Sequence, residues 1–225
     1  MIFTFWEGKM PEYIKLCLDT WNFDFVVLDY SNLHEYTEMP VERVKRFTLP
    51  QVADCVRVHV LRDNGGIWLD ADTISLTGRL PEETVLGDPE TRGNSIGMLR
   101  SDGHPEMFVE WARFQDRIIE GRGDTKHWAA LGNAFTDEYL KEHTEIPIGR
   151  IKDRCPEVYM IHGDMSKRER YQRFYFESTY HLADIGQTDI LMLHNSWTPE
   201  EYKLKSAREV LEAQCTLSNI LRETR

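Results

Sequence analysis

The sequence predicts an α/β fold with a mostly parallel central sheet flanked by helices, on three observations. The first 29 residues read strand, helix, strand, an order that closes as two parallel strands with a crossover helix. A second helix-to-strand unit at residues 51–69 ends in paired carboxylates, at the kind of strand end where parallel sheets place ligands. The chain has 225 residues, 41% of them hydrophobic, enough for one α/β domain with a sizeable core.

The elements follow in order. Ile2 to Trp6 is an apolar run that reads as a buried strand. Pro11 opens a helix whose apolar positions run through Ile14, Leu16, Cys17, Leu18 and Trp21, since proline suits a first turn. Phe23 to Asp29, rich in Phe and Val, is the second strand. A polar connection over residues 33–50 holds a short helix near Val41 to Arg46. Val52, Val56 and Val60 recur at helical spacing in Gln51–Asp63, and Asn64-Gly65-Gly66 ends that helix. Ile67 to Leu69 and Ser95 to Leu99 are further strands. Pro105–Glu120 is amphipathic, and a second helix covers His127–Lys141. Val158–Ile161, Thr179–Leu182 and Ile190–Leu193 read as late strands. Thr198-Pro199-Glu200-Glu201 has the capping-box pattern, so a C-terminal helix starts there, with Ala207, Val210, Leu211, Leu217 and Leu221 facing the core. No repeat, low-complexity tract or linker interrupts the chain, which reads as one domain over residues 1–225.

The net charge of −11 argues against a general nucleic-acid binder and suits a cytoplasmic protein. Lys167, Arg168 and Arg170 form a local basic cluster, which reads as a solvated loop or as a patch for an anionic ligand or membrane surface. Cys17, Cys55, Cys155 and Cys215 are scattered without metal-ligand spacing, which suits a reducing compartment. The N-terminus lacks the pattern of a signal peptide, and no apolar stretch is long enough to cross a bilayer. The expected location is cytoplasmic, peripheral at most at the inner face of the membrane.

The stretch Gly65-Gly66-Ile67-Trp68-Leu69-Asp70-Ala71-Asp72 carries the chemistry. A strand ending in Asp-x-Asp presents two carboxylates where a divalent cation can be held, and such a cation neutralises a diphosphate leaving group. Asp54 and Arg57, at i and i+3, read either as a surface ion pair or as a buried pair gripping hydroxyls or phosphate. His194-Asn195-Ser196-Trp197 follows another apolar run and offers an imidazole ligand and hydrogen-bond donors. Trp6 reads as a core residue or as a flat face for a base.

Ala53-Asp54-x-x-Arg57, Leu61 and Gly65-Gly66-Ile67-Trp68-Leu69-Asp70-x-Asp72 together resemble the central motif of Asp-x-Asp sugar transferases. That grouping includes glycosyltransferase family 32, the bacterial capsular polysaccharide synthesis proteins and the core of the clostridial glucosylating toxins. The opening Ile2-Phe3-Thr4-Phe5-Trp6-Glu7-Gly8-Lys9-Met10-Pro11 and the closing His194-Asn195-Ser196-Trp197 are similar to the first and last blocks of these enzymes. The resemblance implies a GT-A fold, Rossmann-like, with a nucleotide-sugar-binding half at residues 1–100 and an acceptor half at 101–225. It implies a UDP-sugar donor, Mn²⁺ or Mg²⁺, and a glycan or lipid-linked oligosaccharide acceptor. Trp6 would stack on uracil, Asp54 and Arg57 would hold the donor sugar, and Asp70 would contact ribose and sugar. Asp72 would bind the metal with His194 as second protein ligand, and Asn195, Ser196 and Trp197 would lie against the diphosphate. The toxins place no histidine at that last position, so His194 follows other GT-A enzymes. Such relatives retain anomeric configuration.

Two rival readings come from the same residues. Asp70-Ala71-Asp72-Thr73 also satisfies the Asp-x-Asp-x-Thr motif of haloacid dehalogenase-type phosphohydrolases, with Asp70 as nucleophile. A nucleotide-sugar binding module without transfer activity would keep the same donor-side residues.

Overall fold

The computed structural model describes residues 1–121, 127 and 129–225. In chain order the elements are β1 (Ile2–Phe5), α1 (Glu12–Leu18), β2 (Phe25–Leu28), α2 (Val41–Val44), α3 (Leu49–Asn64), β3 (Ile67–Leu69) and β4 (Thr73–Ser75). They continue with β5 (Val85–Gly87), β6 (Asn94–Arg100), α4 (Pro105–Ile119), α5 (Asn133–Glu142), β7 (Ile148–Arg150), α6 (Glu157–Met160) and α7 (Lys167–Gln172). The last are β8 (Ile190–Met192), α8 (Glu200–Lys203), α9 (Ala207–Glu212) and α10 (Thr216–Glu223). They fall into two units that interleave along the chain. One holds Met1–Gly8, Asp24–Asp70 and Glu82–Ile151; the other holds Lys9–Phe23, Ala71–Pro81 and Lys152–Arg225. The halves read from the sequence meet instead at residues 100 and 101.

The first unit contains the central sheet, in the order β2-β1-β3-β6-β5-β7. Pairs β1–β2, β1–β3 and β5–β7 are parallel, and β6 runs antiparallel to both β3 and β5. The fold class is therefore α/β with a mostly parallel sheet, as the sequence predicts. Helix α3 packs on β1, β3 and α4, and α5 packs on β6. Phe3, Phe5, Val52, Val56, Val60, Trp68, Phe108 and Trp111 share one apolar core. At the start of α3 the Thr48 N–H donates to Gln51 Oε1 at 3.2 Å, satisfying a donor the first helical turn leaves open.

The turn from α3 into β3 depends on its glycines. Gly65 and Gly66 have φ of +68° and +90°, a region costly for any residue with a Cβ. A Cβ on Gly66 would also stand 2.3 Å from the Met1 carbonyl oxygen. That carbonyl accepts from Ile67 N at 3.0 Å, so the Gly-Gly break lets β3 begin directly against the N-terminal strand.

In the second unit β4 pairs antiparallel with β8, and α1 packs against β4 and α9. Its interior includes Tyr13, Ile14, Ile74, Tyr171, Phe174, Ile190, Val210 and Ile220. Helix α1 thus groups with this unit. The expected crossover between β1 and β2 is present in the chain path, but its helix ends at Leu18 and Trp21 lies beyond it.

Several expected elements differ. Val158–Ile161 lies in α6 and the following turn, because Pro156 starts a helical turn that overrides the β propensity of Val and Tyr. Thr179–Leu182 forms no strand; the Tyr180 N–H donates instead to Thr216 Oγ1 at 3.0 Å. The single C-terminal helix is three short ones. Thr198 Oγ1 is engaged with Tyr171 and with the His194 carbonyl, and the capping box of this region is Ser206 with Glu209. The basic cluster at Lys167 is helical, capped by Ser166 with Glu169. The helix expected at His127–Lys141 is observed as α5; Trp128 lies outside the described residues. Three-residue strands β4, β5 and β7 are too short to leave a period in the sequence.

Candidate functional site

Each unit gathers part of the predicted site, and the boundary between units falls between Asp70 and Ala71. In the first unit, Asp54 and Arg57 share one face of α3 and both are buried, 6% and 5% exposed, so the pair is not a surface ion pair. Arg57 Nη2 lies 3.3 Å from Asp54 Oδ1 and 3.3 Å from Asp70 Oδ1. Its Nη1 donates to the Ile96 carbonyl of β6 and its Nε to the Ala53 carbonyl at 3.3 Å. The guanidinium also stands over the Trp68 ring, 5.2 Å from the centroid. A planar donor fork fixed on two carbonyls cannot swing away, so it acts as a rigid clamp between two carboxylates.

Asp70 continues β3. Its N–H donates to the Gly97 carbonyl at 2.8 Å, and its Oδ1 accepts from Trp68 Nε1 at 2.8 Å. Strand alternation puts residues 68 and 70 on one face, so Trp68 is a neighbour of Asp70 that the spacing could have revealed. Gln115 Nε2 donates to the Asp54 carbonyl at 2.8 Å, tying α4 to this turn of α3. Gly132 is a second unforeseen neighbour: a Cβ there would lie 2.7 Å from Asp54 Oδ2. Burial pushes the Asp54 carboxyl up to about 7; the Arg57 charge opposes that rise and Asp70 adds to it. Trp6 prolongs the β1–β2 ladder, its N–H donating to the Leu28 carbonyl at 2.9 Å. The ring is half-buried, and its Nε1 is buried with no hydrogen-bond partner among the described residues.

In the second unit, Asp72 sits just before β4 and is partly exposed. Its Oδ2 accepts from the Asn195 N–H at 2.7 Å, and its carbonyl accepts from Leu193 N at 3.1 Å. The antiparallel β4–β8 pairing therefore carries Asp72 to the start of the His194–Trp197 segment. Asn195 Oδ1 in turn accepts from the Tyr13 hydroxyl at 2.5 Å, so a buried phenol orients the amide beside Asp72. Burial and the Asp72 charge hold that phenol far above its ordinary range, so it stays a donor. Ser196 is exposed, and Trp197 is partly buried with its carbonyl accepting from Gln172 Nε2 at 2.8 Å.

The His194 ring packs against Trp197, 4.0 Å between centroids, and edge-on to Tyr171 at 5.5 Å. Burial depresses its imidazole to about 4, so it is neutral at physiological pH. Its ligand nitrogen lies within 4.8 Å of Cys155 Sγ and of a Glu157 carboxylate oxygen. Neither of those residues stood out in the sequence, since both lie about 40 positions from His194 along the chain. A separate cleft of about 540 Å³ in this unit is lined by Thr77, Arg79, Arg154, Gln187, Thr188 and Asp189 among others.

The capsular polysaccharide synthesis protein family matches residues 1–193. The chain belongs to that family. The match takes in Trp6, Asp54, Arg57, Asp70 and Asp72 and stops one residue before His194. A solved structure described as PaToxG Glycosyltransferase is similar over 64% of this chain and 68% of its own, at 16% identity and a TM-score of 0.44. A search of curated proteins finds no match. Among the described residues of this capsular polysaccharide synthesis protein, no helix is long and apolar enough to cross a membrane.

Proposed function

We propose that this capsular polysaccharide synthesis protein is a glycosyltransferase that moves a hexose from a UDP-sugar to a glycan or lipid-linked oligosaccharide acceptor. The observation that carries the reading is Arg57, buried and clamped between Asp54 and Asp70 at 3.3 Å from each. Burying the Asp54–Arg57 pair is costly for stability alone, and with the partly exposed Asp70 on the same guanidinium, polar groups fixed in this way suit a ligand rich in hydroxyls. Family membership supports a place in surface polysaccharide synthesis.

The residues divide by chemistry. Asp54 and Arg57 would hold the sugar hydroxyls, and Asp70, oriented by Trp68 Nε1, would accept from ribose and sugar. Trp6 would offer its ring face to uracil. Asp72 fits an oxygen-preferring cation: it is partly exposed, and the Asn195 N–H fixes its carboxylate in the manner of an outer-shell partner. Mn²⁺ or Mg²⁺ bound there would neutralise charge gathering on the departing diphosphate. Asn195, Ser196 and Trp197 would lie along that diphosphate. His194, expected from the resemblance as second ligand, has its imidazole beside Cys155 and Glu157, and its use there is argued below. Arg79, Arg154 and Asp189 in the polar cleft would offer charge and hydrogen bonds to an acceptor sugar.

Transfer with retention follows if the acceptor attacks on the face the leaving group departs from, through an ion-pair-like transition state. The test is turnover of a panel of UDP-sugars with Mn²⁺, with UDP release and product anomeric configuration read by NMR. The reading expects UDP release, a product of retained configuration, and about a 100-fold loss or more in Asp72→Asn. Inverted product would refute retention. Rapid hydrolysis of a phosphomonoester, lost in Asp70→Asn and without sugar transfer, would replace the transferase by the phosphohydrolase. UDP binding with no turnover across acceptors would leave a binding module.

A further inference from the structure

We propose that Cys155, Glu157 and His194 form a metal centre for Zn²⁺ or a similar borderline cation, distinct from the Asp72 position. The inference does not depend on the transferase reading.

The three ligand atoms, a thiol sulfur, a carboxylate oxygen and an imidazole nitrogen, lie within 4.8 Å of one another. Bonds of roughly 2.0–2.3 Å in a tetrahedral Zn²⁺ site put such atoms about 3.3–3.8 Å apart, so an ångström or so of side-chain closure completes the set. Cys155 and Glu157 flank Pro156 at the start of α6, which holds their separation. His194 comes from a distant part of the chain, two residues past the end of β8.

A second, independent observation points inward. Glu157 is only 3% exposed, and its Oε2 is buried with no hydrogen-bond partner among the described residues. An isolated carboxylate in that position is unfavourable, and a buried polar atom of this kind calls for an occupant. Cys155 is also buried, so the thiol has no access of the sort a surface redox cysteine needs.

The donor set selects the metal. One thiolate and one carboxylate balance a divalent charge, so the loaded centre is neutral and tolerable in a buried place. Sulfur and imidazole favour Zn²⁺ over Mg²⁺ or Mn²⁺, which take oxygen. Three protein ligands leave a fourth position, and the His194 ring that supplies one of them is packed against Trp197 and edge-on to Tyr171. The consequence is structural: the metal would tie α6 to the first residue of the His194–Trp197 segment, whose next N–H holds Asp72.

The test uses the whole protein, stripped with a chelator and re-equilibrated with Zn²⁺, Co²⁺ or Mg²⁺. Metal content is measured by plasma mass spectrometry and Co²⁺ by its near-ultraviolet thiolate charge-transfer band. The expected result is one equivalent of Zn²⁺ retained, no Mg²⁺ retained at this centre, and a Co²⁺–thiolate band. Cys155→Ser should lose the band, Glu157→Gln should weaken Zn²⁺ at least about tenfold, and Asp72→Asn should change neither. If Cys155→Ser does not fold, the Zn²⁺ affinity of the near-isosteric Glu157→Gln decides. Zn²⁺ not retained, Co²⁺ bound without the band, or affinity unchanged in Glu157→Gln would overturn the proposal.

Discussion

Arg57 shows how one buried cation organises several groups. It faces Asp54 and Asp70, and its donors are anchored on carbonyls of α3 and β6. Arg57→Met leaves both carboxylates without their counter-ion. Asp54 can take up a proton, which limits the damage, so we expect a loss of about 3 kcal/mol in urea unfolding. A loss under 1 kcal/mol would mean the clamp carries no structural load. His59 gives the opposite kind of residue. It is 1% exposed with neither ring nitrogen hydrogen-bonded among the described residues, and burial depresses it to about 4. At neutral pH it is uncharged, so the 3.6 Å approach to Asp116 is not an ion pair. The unfolded chain protonates near pH 6.5 and the folded one only near 4. Stability from this group is therefore full above pH 6.5 and is lost as pH falls towards 4. The cost is about 3 kcal/mol by linkage. His59→Leu should flatten that part of the pH–stability curve, and an unchanged slope between pH 6.5 and 4 would contradict the assignment.

At the scale of elements, the α3–turn–β3 unit is the part where local rules and tertiary demands agree. Valines at helical spacing bury one face of α3, two glycines with positive φ end it, and the strand starts under the Met1 carbonyl. Gly66→Ala puts a methyl 2.3 Å from that carbonyl at φ +90°, and we expect a loss of at least about 2 kcal/mol by chemical denaturation. Gly132→Ala acts on the site without positive φ: its methyl would displace the Asp54 carboxylate 2.7 Å away. On the proposed function it should weaken UDP-sugar binding by about tenfold in calorimetry, and unchanged binding would remove Asp54 from the proposed donor contacts. The late elements failed the same local rules. Val158-Tyr159 has strand-like composition, but Pro156 and the burial of Glu157 place it in a helical turn. Thr198 has a capping pattern, but its hydroxyl is taken by Tyr171 and His194.

Over the whole molecule, what was readable from sequence was what short segments decide for themselves. The α/β class follows from strand–helix–strand runs close together in the chain, and Asp54 with Arg57, the Gly-Gly break and the Asp-x-Asp pair all lie within residues 54–72; the first unit takes them as far as Asp70, and Asp72 belongs to the second. The interleaving of two units, the move of α1 into the second, and the meeting of Cys155 and Glu157 with His194 depend on contacts between distant segments. No period or spacing records them. The same holds for Tyr13, which reaches Asn195 across 182 positions.

The central claim is that Asp72 holds a cation that in turn holds a nucleoside diphosphate. Calorimetric titration of UDP into wild-type protein and into Asp72→Asn, each with and without Mn²⁺, tests it most directly. The account predicts that Mn²⁺ tightens UDP binding to the wild type by tenfold or more and that Asp72→Asn abolishes the gain. UDP binding that Mn²⁺ leaves unchanged, or a gain that survives Asp72→Asn, would contradict it.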